Sequence, residues 1–253
     1  MIQGSFTSKI IKGGALLDDT RRVVEAWDPS RSPAENLGHL RALDVLGKRS
    51  SVRAEDVLKR AIVPRLVTPG TQVIGALRLL LDDPGAFKAA CYYESAREDC
   101  LLAAFAEGPV FDWWEAGRTE VRVAEVVDWL TRLGDGPNGR WSPGLKTRVA
   151  QGLLATLRDF GVLRGAVRKQ IVDPQLGPVG FAYVAWREHE RGASSRRLVS
   201  SRVWRRWLLD EASVLRHFSD LARRGVLKFS AAGSTVRVDW VAKGLEEVAI
   251  AAA

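Results

Sequence analysis

Side chains able to ligate a metal or drive nucleophilic chemistry are few and scattered in this sequence. Its three histidines, His39, His189 and His217, are scattered, and none stands at ligand spacing from a cysteine or from another histidine. Cys91 and Cys100 stand nine residues apart on what reads as one helix, so at about 100° per residue they face opposite ways. They neither pair nor share a metal, and both read as buried small residues. The acidic pairs Asp18-Asp19 and Asp82-Asp83 fall at helix termini, where capping explains them. Gly13-Gly14 after Lys12 is too short for a phosphate loop and reads as a helix start. No G-x-x-x-x-G-K-[ST] or G-x-S-x-G motif occurs, and no carboxylates converge as a metal-dependent nuclease requires. The expectation is a protein that is not an enzyme, with no catalytic residues, metal, cofactor or small-molecule substrate.

The arginines carry a clearer signal. The chain has a formal charge of +8, but the excess is not spread evenly. Residues 1–139 hold 18 basic and 20 acidic side chains, and residues 140–253 hold 20 basic and 10 acidic. The excess is densest where Arg191, Arg196, Arg197, Arg202, Arg205 and Arg206 occur with no intervening acid. Such a block repels itself unless a polyanion neutralises it, which makes phosphate its natural partner. A smaller basic cluster (Arg41, Lys48, Arg49, Arg53, Lys59, Arg60 and Arg65) is diluted by Asp44, Glu55 and Asp56.

Those residues must be positioned by a folded scaffold. The chain has 253 residues, of which 46% are apolar and 27% charged, the balance of a globular protein with a full core. No apolar run approaches the roughly 18 residues needed to cross a bilayer. The opening MIQGSFTSKIIKGG lacks an apolar signal region. The expectation is a cytoplasmic protein with no membrane partner.

The fold class expected is mainly α: an N-terminal helical bundle followed by tandem winged helix-turn-helix-like units with small β-hairpin wings. Leu16, Thr20, Val23, Val24 and Trp27 recur at helical spacing until Asp28-Pro29. Ser32-Pro33-Ala34-Glu35 is a capping box with proline first, opening a helix that ends at Gly47. A third helix from about Val52 is expected to halt before Pro64, and a fourth runs from Thr71 to Asp82. A long one from Pro84 passes Phe105 and is closed by Gly108-Pro109. These make residues 1–108 the bundle, followed by a tryptophan-rich connector (Phe111, Trp113, Trp114).

Residues 109–175 form the first unit. Val123, Val126, Val127 and Leu130 mark one helix, the polar loop 135–139 follows, and Ser142-Pro143 opens a second helix. Gly161 then leads into a β-branched stretch to Ile171-Val172. Residues 176–253 repeat the order: a helix from Phe181 to Glu190, a short one from Arg202 to Leu209, and a third capped by Asp210. A hairpin follows around Ala231-Ala232-Gly233-Ser234. Leu157-x-x-x-Gly161-Val162-Leu163-Arg164 matches Leu221-x-x-x-Gly225-Val226-Leu227-Lys228 at an offset of 64 residues. Helix, turn, helix, glycine and strand is the order of a winged helix.

The polar faces of the second helices hold the side chains that bond phosphates and base edges. In the first unit these are Lys146, Thr147, Arg148, Gln151 and Arg158. In the later unit they are Ser213, Arg216, Ser219, Arg223 and Arg224, with Lys228 and Arg237 on the wing. Arg196, Arg197, Arg202, Arg205 and Arg206 complete the expected DNA-binding set. Arg41, Lys48, Arg49, Arg53, Lys59 and Arg60 form a secondary basic patch.

Several short motifs, in order, resemble one known family. Ile11-Lys12-Gly13-Gly14-Ala15-Leu16-Leu17 with Asp19-Thr20-Arg21 and Trp27 is similar to the N-terminus of BrxA proteins of bacterial BREX phage-exclusion systems. So are Glu35-Asn36-Leu37, Leu46-Gly47-Lys48, Arg53-Ala54, Pro64-Arg65 and Tyr92-Tyr93 before Ala96-Arg97. Trp141-Ser142 leading to residues Gly152 to Gly161 extends the resemblance over nearly the whole chain. It implies a mainly helical, double-stranded DNA-binding accessory protein encoded beside a methyltransferase, a phosphatase-like protein and ATPases. It supplies no catalytic residues. The expected function is therefore non-catalytic duplex DNA binding in phage defence, with other BREX components as further partners. Two alternatives stand beside it: a protein–protein adaptor anchored by tryptophans, and RNA binding through Lys48, Arg49, Arg53 and Lys59.

Overall fold

A computed structural model of the chain describes residues 6–133, 141–233 and 235–253. The expected loop 135–139 and the hairpin residue Ser234 lie outside the described residues. In chain order the elements are α1 (Ile10–Gly13), α2 (Leu17–Ala26), α3 (Pro33–Ala42), α4 (Ser51–Val57), α5 (Gln72–Leu79), α6 (Pro84–Glu98), α7 (Cys100–Phe105) and α8 (Phe111–Glu115). Then come β1 (Glu120–Val121), α9 (Val123–Arg132), α10 (Pro143–Asp159), β2 (Leu163–Arg164), β3 (Lys169–Ile171), α11 (Pro178–Glu190) and α12 (Ser195–Val199). The last are α13 (Glu211–Arg223), β4 (Leu227–Ala232), β5 (Thr235–Trp240) and α14 (Leu245–Ala252). The protein is mainly helical with two small antiparallel sheets, as the residue patterns predict.

Several helix starts follow local side-chain chemistry. The Ser32 hydroxyl accepts from the Glu35 amide while the Glu35 carboxylate accepts from the Ser32 amide, closing a capping box at α3. Asp210 accepts from the Ser213 amide at 2.8 Å and opens α13, and Asp83 accepts from Ala86 at 2.9 Å in the first turn of α6.

Prolines and glycines behave less simply. Helical backbone does not halt at Pro64: wide π-helical turns run Leu58–Val67, with the Thr68 amide bonding the Val63 carbonyl at 2.9 Å. The i-to-i−5 pairing leaves room for a ring that would strike the i−4 carbonyl of an α-helix. Gly108-Pro109 likewise sits inside π-helical turns, Ala106–Val110, that lead directly into α8, so the tryptophan connector is itself helical. The long helix from Pro84 is instead broken at Asp99, whose carboxylate accepts from Leu101 and Leu102 and starts α7. Cys91 and Cys100 therefore lie on two helices: Cys91 is buried and Cys100 half-buried. Gly13-Gly14 ends α1 rather than starting a helix, and α3 stops at Ala42, short of Gly47.

The chain divides into two compact units, each built from separated stretches of sequence. The first takes the described residues of Met1–Ala15, Ser95–Gln175 and Arg202–Leu209. In it α9 and α1 pack on α10. A Cβ at Gly152 would lie 3.5 Å from Ile10, so the small residue permits a close helix approach. Val126, Leu130, Val149, Leu153, Leu157 and Val162 are buried there. The sheet has the order β1-β3-β2, all antiparallel, with Glu120 opposite Gln170 and Arg164 also opposite Gln170.

The second unit takes Leu16–Glu94, Leu176–Ser201 and Asp210–Ala253. Its α11 is buried at every residue from 179 to 187 and packs against α13 and α14. Fully buried Glu94 accepts from Arg187 at 2.8 Å and from the Tyr183 hydroxyl at 3.0 Å, and burial pushes the Tyr183 pKa well up. The β4–β5 hairpin pairs Leu227 with Trp240 through to Ala232 with Thr235.

The internal repeat is structural. Gly161 (φ 84°) follows α10 and Gly225 (φ 78°) follows α13, both left-handed. Val162 donates to Leu157 at 2.9 Å and Val226 to Leu221 at 3.1 Å. Val172 then returns to bond Val162 at 3.1 Å, as Val241 bonds Val226 at 3.2 Å.

Candidate nucleic-acid interface

In the first unit, α10 begins where Ser142 caps Leu145, and its apolar arc fixes which side chains reach solvent. Arg148 and Gln151 are exposed, and Arg148 makes no ion pair among the described residues. Lys146 donates to the Thr131 hydroxyl at 3.3 Å, and the Thr147 hydroxyl donates back to the Pro143 carbonyl at 3.0 Å. Arg158 is exposed but leans on Asp159 at 2.7 Å. This face offers one uncommitted guanidinium, an amide, and two further cations held by weak surface contacts.

The β2–β3 hairpin of the same unit adds Arg164 and Arg168, both exposed, around Val167, which is 93% exposed. Neither arginine makes an ion pair among the described residues; Arg164 bonds the Gln170 amide at 3.4 Å. A cleft of about 350 Å³ beside the tip is lined in part by Arg122, Val167 and Arg168. The sequence reading missed these residues because the turn Gly165-Ala166-Val167-Arg168 carries no paired turn signal. Gly165 between two arginines was the available clue.

The dense arginine block is not one surface. Arg206 is 7% exposed, and its guanidinium meets Glu107, also buried, at 2.7 Å. It leaves the expected DNA-binding set, because a guanidinium committed to a buried carboxylate has no face for phosphate. Arg205 lies 4.6 Å over the Phe111 ring and 3.8 Å from Asp112, and Arg202 bonds the Glu107 carbonyl at 3.5 Å. All three hold the 3₁₀ turn Arg202–Trp207 in place, with Trp204 and Trp207 buried beneath it.

In the second unit, α13 carries Ser213, Arg216, Ser219 and Arg223, and Arg224 follows as its C-cap. Arg216 donates to the Ser213 hydroxyl at 2.7 Å, the Ser219 hydroxyl turns back to the Leu215 carbonyl, and Arg223 pairs with Asp220. Arg224 donates to the Ala252 carbonyl at 3.3 Å. On the hairpin, Lys228 is exposed and Arg237 pairs with Asp239 at 2.6 Å. Arg196 stands 3.5 Å from Glu211, while neighbouring Arg197 is exposed with no ion pair among the described residues.

The secondary patch is largely neutralised. Arg41 grips Glu55 through two bonds of 2.8 and 3.1 Å, Lys59 meets the same carboxylate at 3.1 Å, and the Glu55 pKa falls to about 2. Arg53 and Arg60 share Asp56, and Lys48 reaches buried Asp19 at 2.6 Å. Asp19 is therefore an ion-pair partner rather than a helix cap. Of this patch, exposed Arg49 makes no ion pair among the described residues.

No tryptophan is exposed among the described residues, so none stands out as a free anchor. Among the described residues no cluster of His, Cys, Asp and Glu is arranged to hold a metal, and no helix is long and apolar enough to cross a membrane.

The sequence matches no curated protein. A BrxA family model matches residues 4–187. The match takes in the first helix–hairpin module entire and ends within α11, so α13 and the β4–β5 hairpin lie beyond it. The motifs from Ile11 to Gly161 all fall inside. The chain belongs to the BrxA family and is a BREX phage-defence protein.

Proposed function

We propose that this protein binds double-stranded DNA without catalysis of its own, as an accessory component acting in the cytoplasm beside other BREX components. The two helix–hairpin modules are taken as winged helix-turn-helix units. In the first, α9 and α10 form the helix–turn–helix and β1-β3-β2 the wing sheet, and α10 is the recognition helix. The observation that carries this reading is the exposed face of α10, where Arg148 and Gln151 stand without carboxylate partners among the described residues. Arginine and glutamine bond guanine and adenine edges in a major groove, and surrounding cations bond phosphate. Arg158, Arg223 and Arg237 are held only by exposed surface pairs, worth about 0–1 kcal/mol each, and Arg216 by the Ser213 hydroxyl, so phosphate can displace the partner. The reading asks for no cofactor.

Mobility-shift titration on duplex DNA tests it. With about six phosphate contacts, affinity falls on the order of 10³-fold between 50 and 200 mM salt. Arg148→Ala with Gln151→Ala weakens binding while the melting temperature holds. A flat salt response, or a double variant that binds as wild type, overturns the reading.

A further inference from the structure

The β2–β3 turn is built more tightly than a connecting loop requires. Lys169 is 7% exposed, yet its ammonium meets no carboxylate among the described residues; it donates to the Gly165 carbonyl at 2.6 Å and the Ala166 carbonyl at 2.5 Å. Gly165 has φ 100°, and a Cβ there would stand 2.1 Å from the Arg168 carbonyl oxygen. An internal cation and an obligatory glycine thus fix four residues in one shape. What that shape holds out is two guanidinium groups, Arg164 and Arg168, and the aliphatic Val167 at 93% exposure. A lone aliphatic so exposed between cations gives nothing to the core, and the rigid backbone lowers the entropy lost when the tip docks.

We propose that the Gly165–Arg168 tip is a preformed probe for the minor groove of duplex DNA, with Arg164 and Arg168 entering the groove and Val167 resting on its sugar walls. The proposal rests on the DNA reading above and adds to it a second groove and a sequence preference. Gly165 and Ala166 are small enough to let the guanidinium groups into a groove about 6 Å wide. A·T tracts narrow that groove and deepen its negative potential, which draws arginine in. The tip therefore favours A·T-rich over G·C-rich flanks, independently of what α10 reads.

The test measures the affinity of full-length protein for two duplexes that differ only in an A-tract or a G·C tract beside a shared central segment. Wild type should favour the A-tract on the order of tenfold. It should also lose that preference when netropsin, a minor-groove ligand, occupies the tract. Arg164→Ala with Arg168→Ala should abolish the preference and lower the salt slope by about two. Gly165→Ala, which keeps both arginines but displaces them, should reduce the preference too, and Val167→Ser should weaken binding to both duplexes. Equal affinities for the two duplexes, or tip variants that keep the preference while Arg148→Ala/Gln151→Ala loses binding, overturn the tip proposal and leave the DNA reading standing. Failure of the wild type to bind either duplex overturns both.

Discussion

The Arg206 guanidinium lies 2.7 Å from the Glu107 carboxylate, and both side chains are buried. The pair turns the most basic stretch of sequence inward at its last residue. A charge buried with its partner contributes little net stability, but a charge stranded by loss of that partner is costly.

Arg206→Met should accordingly destabilise the protein by about 3–5 kcal/mol, since it leaves Glu107 buried and uncompensated. Adding Glu107→Leu should restore most of that loss. Urea denaturation of the two variants measures it; a single variant as stable as wild type would show that Glu107 escapes to solvent.

The two module glycines give a matched pair of predictions. Gly161→Ala and Gly225→Ala each force a left-handed backbone onto a residue with a Cβ, which costs about 1–2 kcal/mol. Similar losses in thermal melting are expected at both sites. A loss at one site alone would mean that the two helix ends are not equivalent.

Neutralised cations should matter little to DNA. Arg41→Ala and Lys59→Ala remove side chains already committed to Glu55, so duplex affinity should stay within about twofold of wild type. Competition of structured RNA against duplex for wild type and this double variant also bears on the RNA alternative. Loss of RNA binding alone would favour it.

His217 sets a pH dependence. It stacks on Phe181 with ring centres 4.6 Å apart, and burial holds its pKa below the ordinary 6.5. The unfolded chain therefore takes up this proton more readily than the folded one. The stability it contributes is complete above pH 6.5 and is lost as pH falls from there toward the folded value. Melting temperature should drop between pH 7 and 5, and His217→Phe should flatten part of that slope. An unchanged slope in the variant would assign the effect to other groups.

Much of the fold was legible in the sequence because it depends on neighbours along the chain. The capping box at Ser32, the cap at Asp210, the arc Leu145–Phe160 and the Gly161 and Gly225 helix ends are local chemistry, and they stand where their residues placed them. Breaks that depend on surroundings were missed. Pro64 and Pro109 sit inside helical turns whose wider i-to-i−5 hydrogen-bond spacing has room for the ring. Asp99 breaks a helix that periodicity alone carries through.

The sequence by itself determined how much charge the chain carries, the helix–hairpin repeat and which helical faces are polar. Only the tertiary structure decided which charges are spent. Glu107 lies 99 residues from Arg206, and Glu55 is 14 from Arg41. An ion pair depends on distance in space, where a carboxylate a few ångströms away can neutralise a cation whatever the separation along the chain. The same geometry left Arg49, Arg148, Arg164, Arg168 and Arg197 exposed and without ion pairs among the described residues.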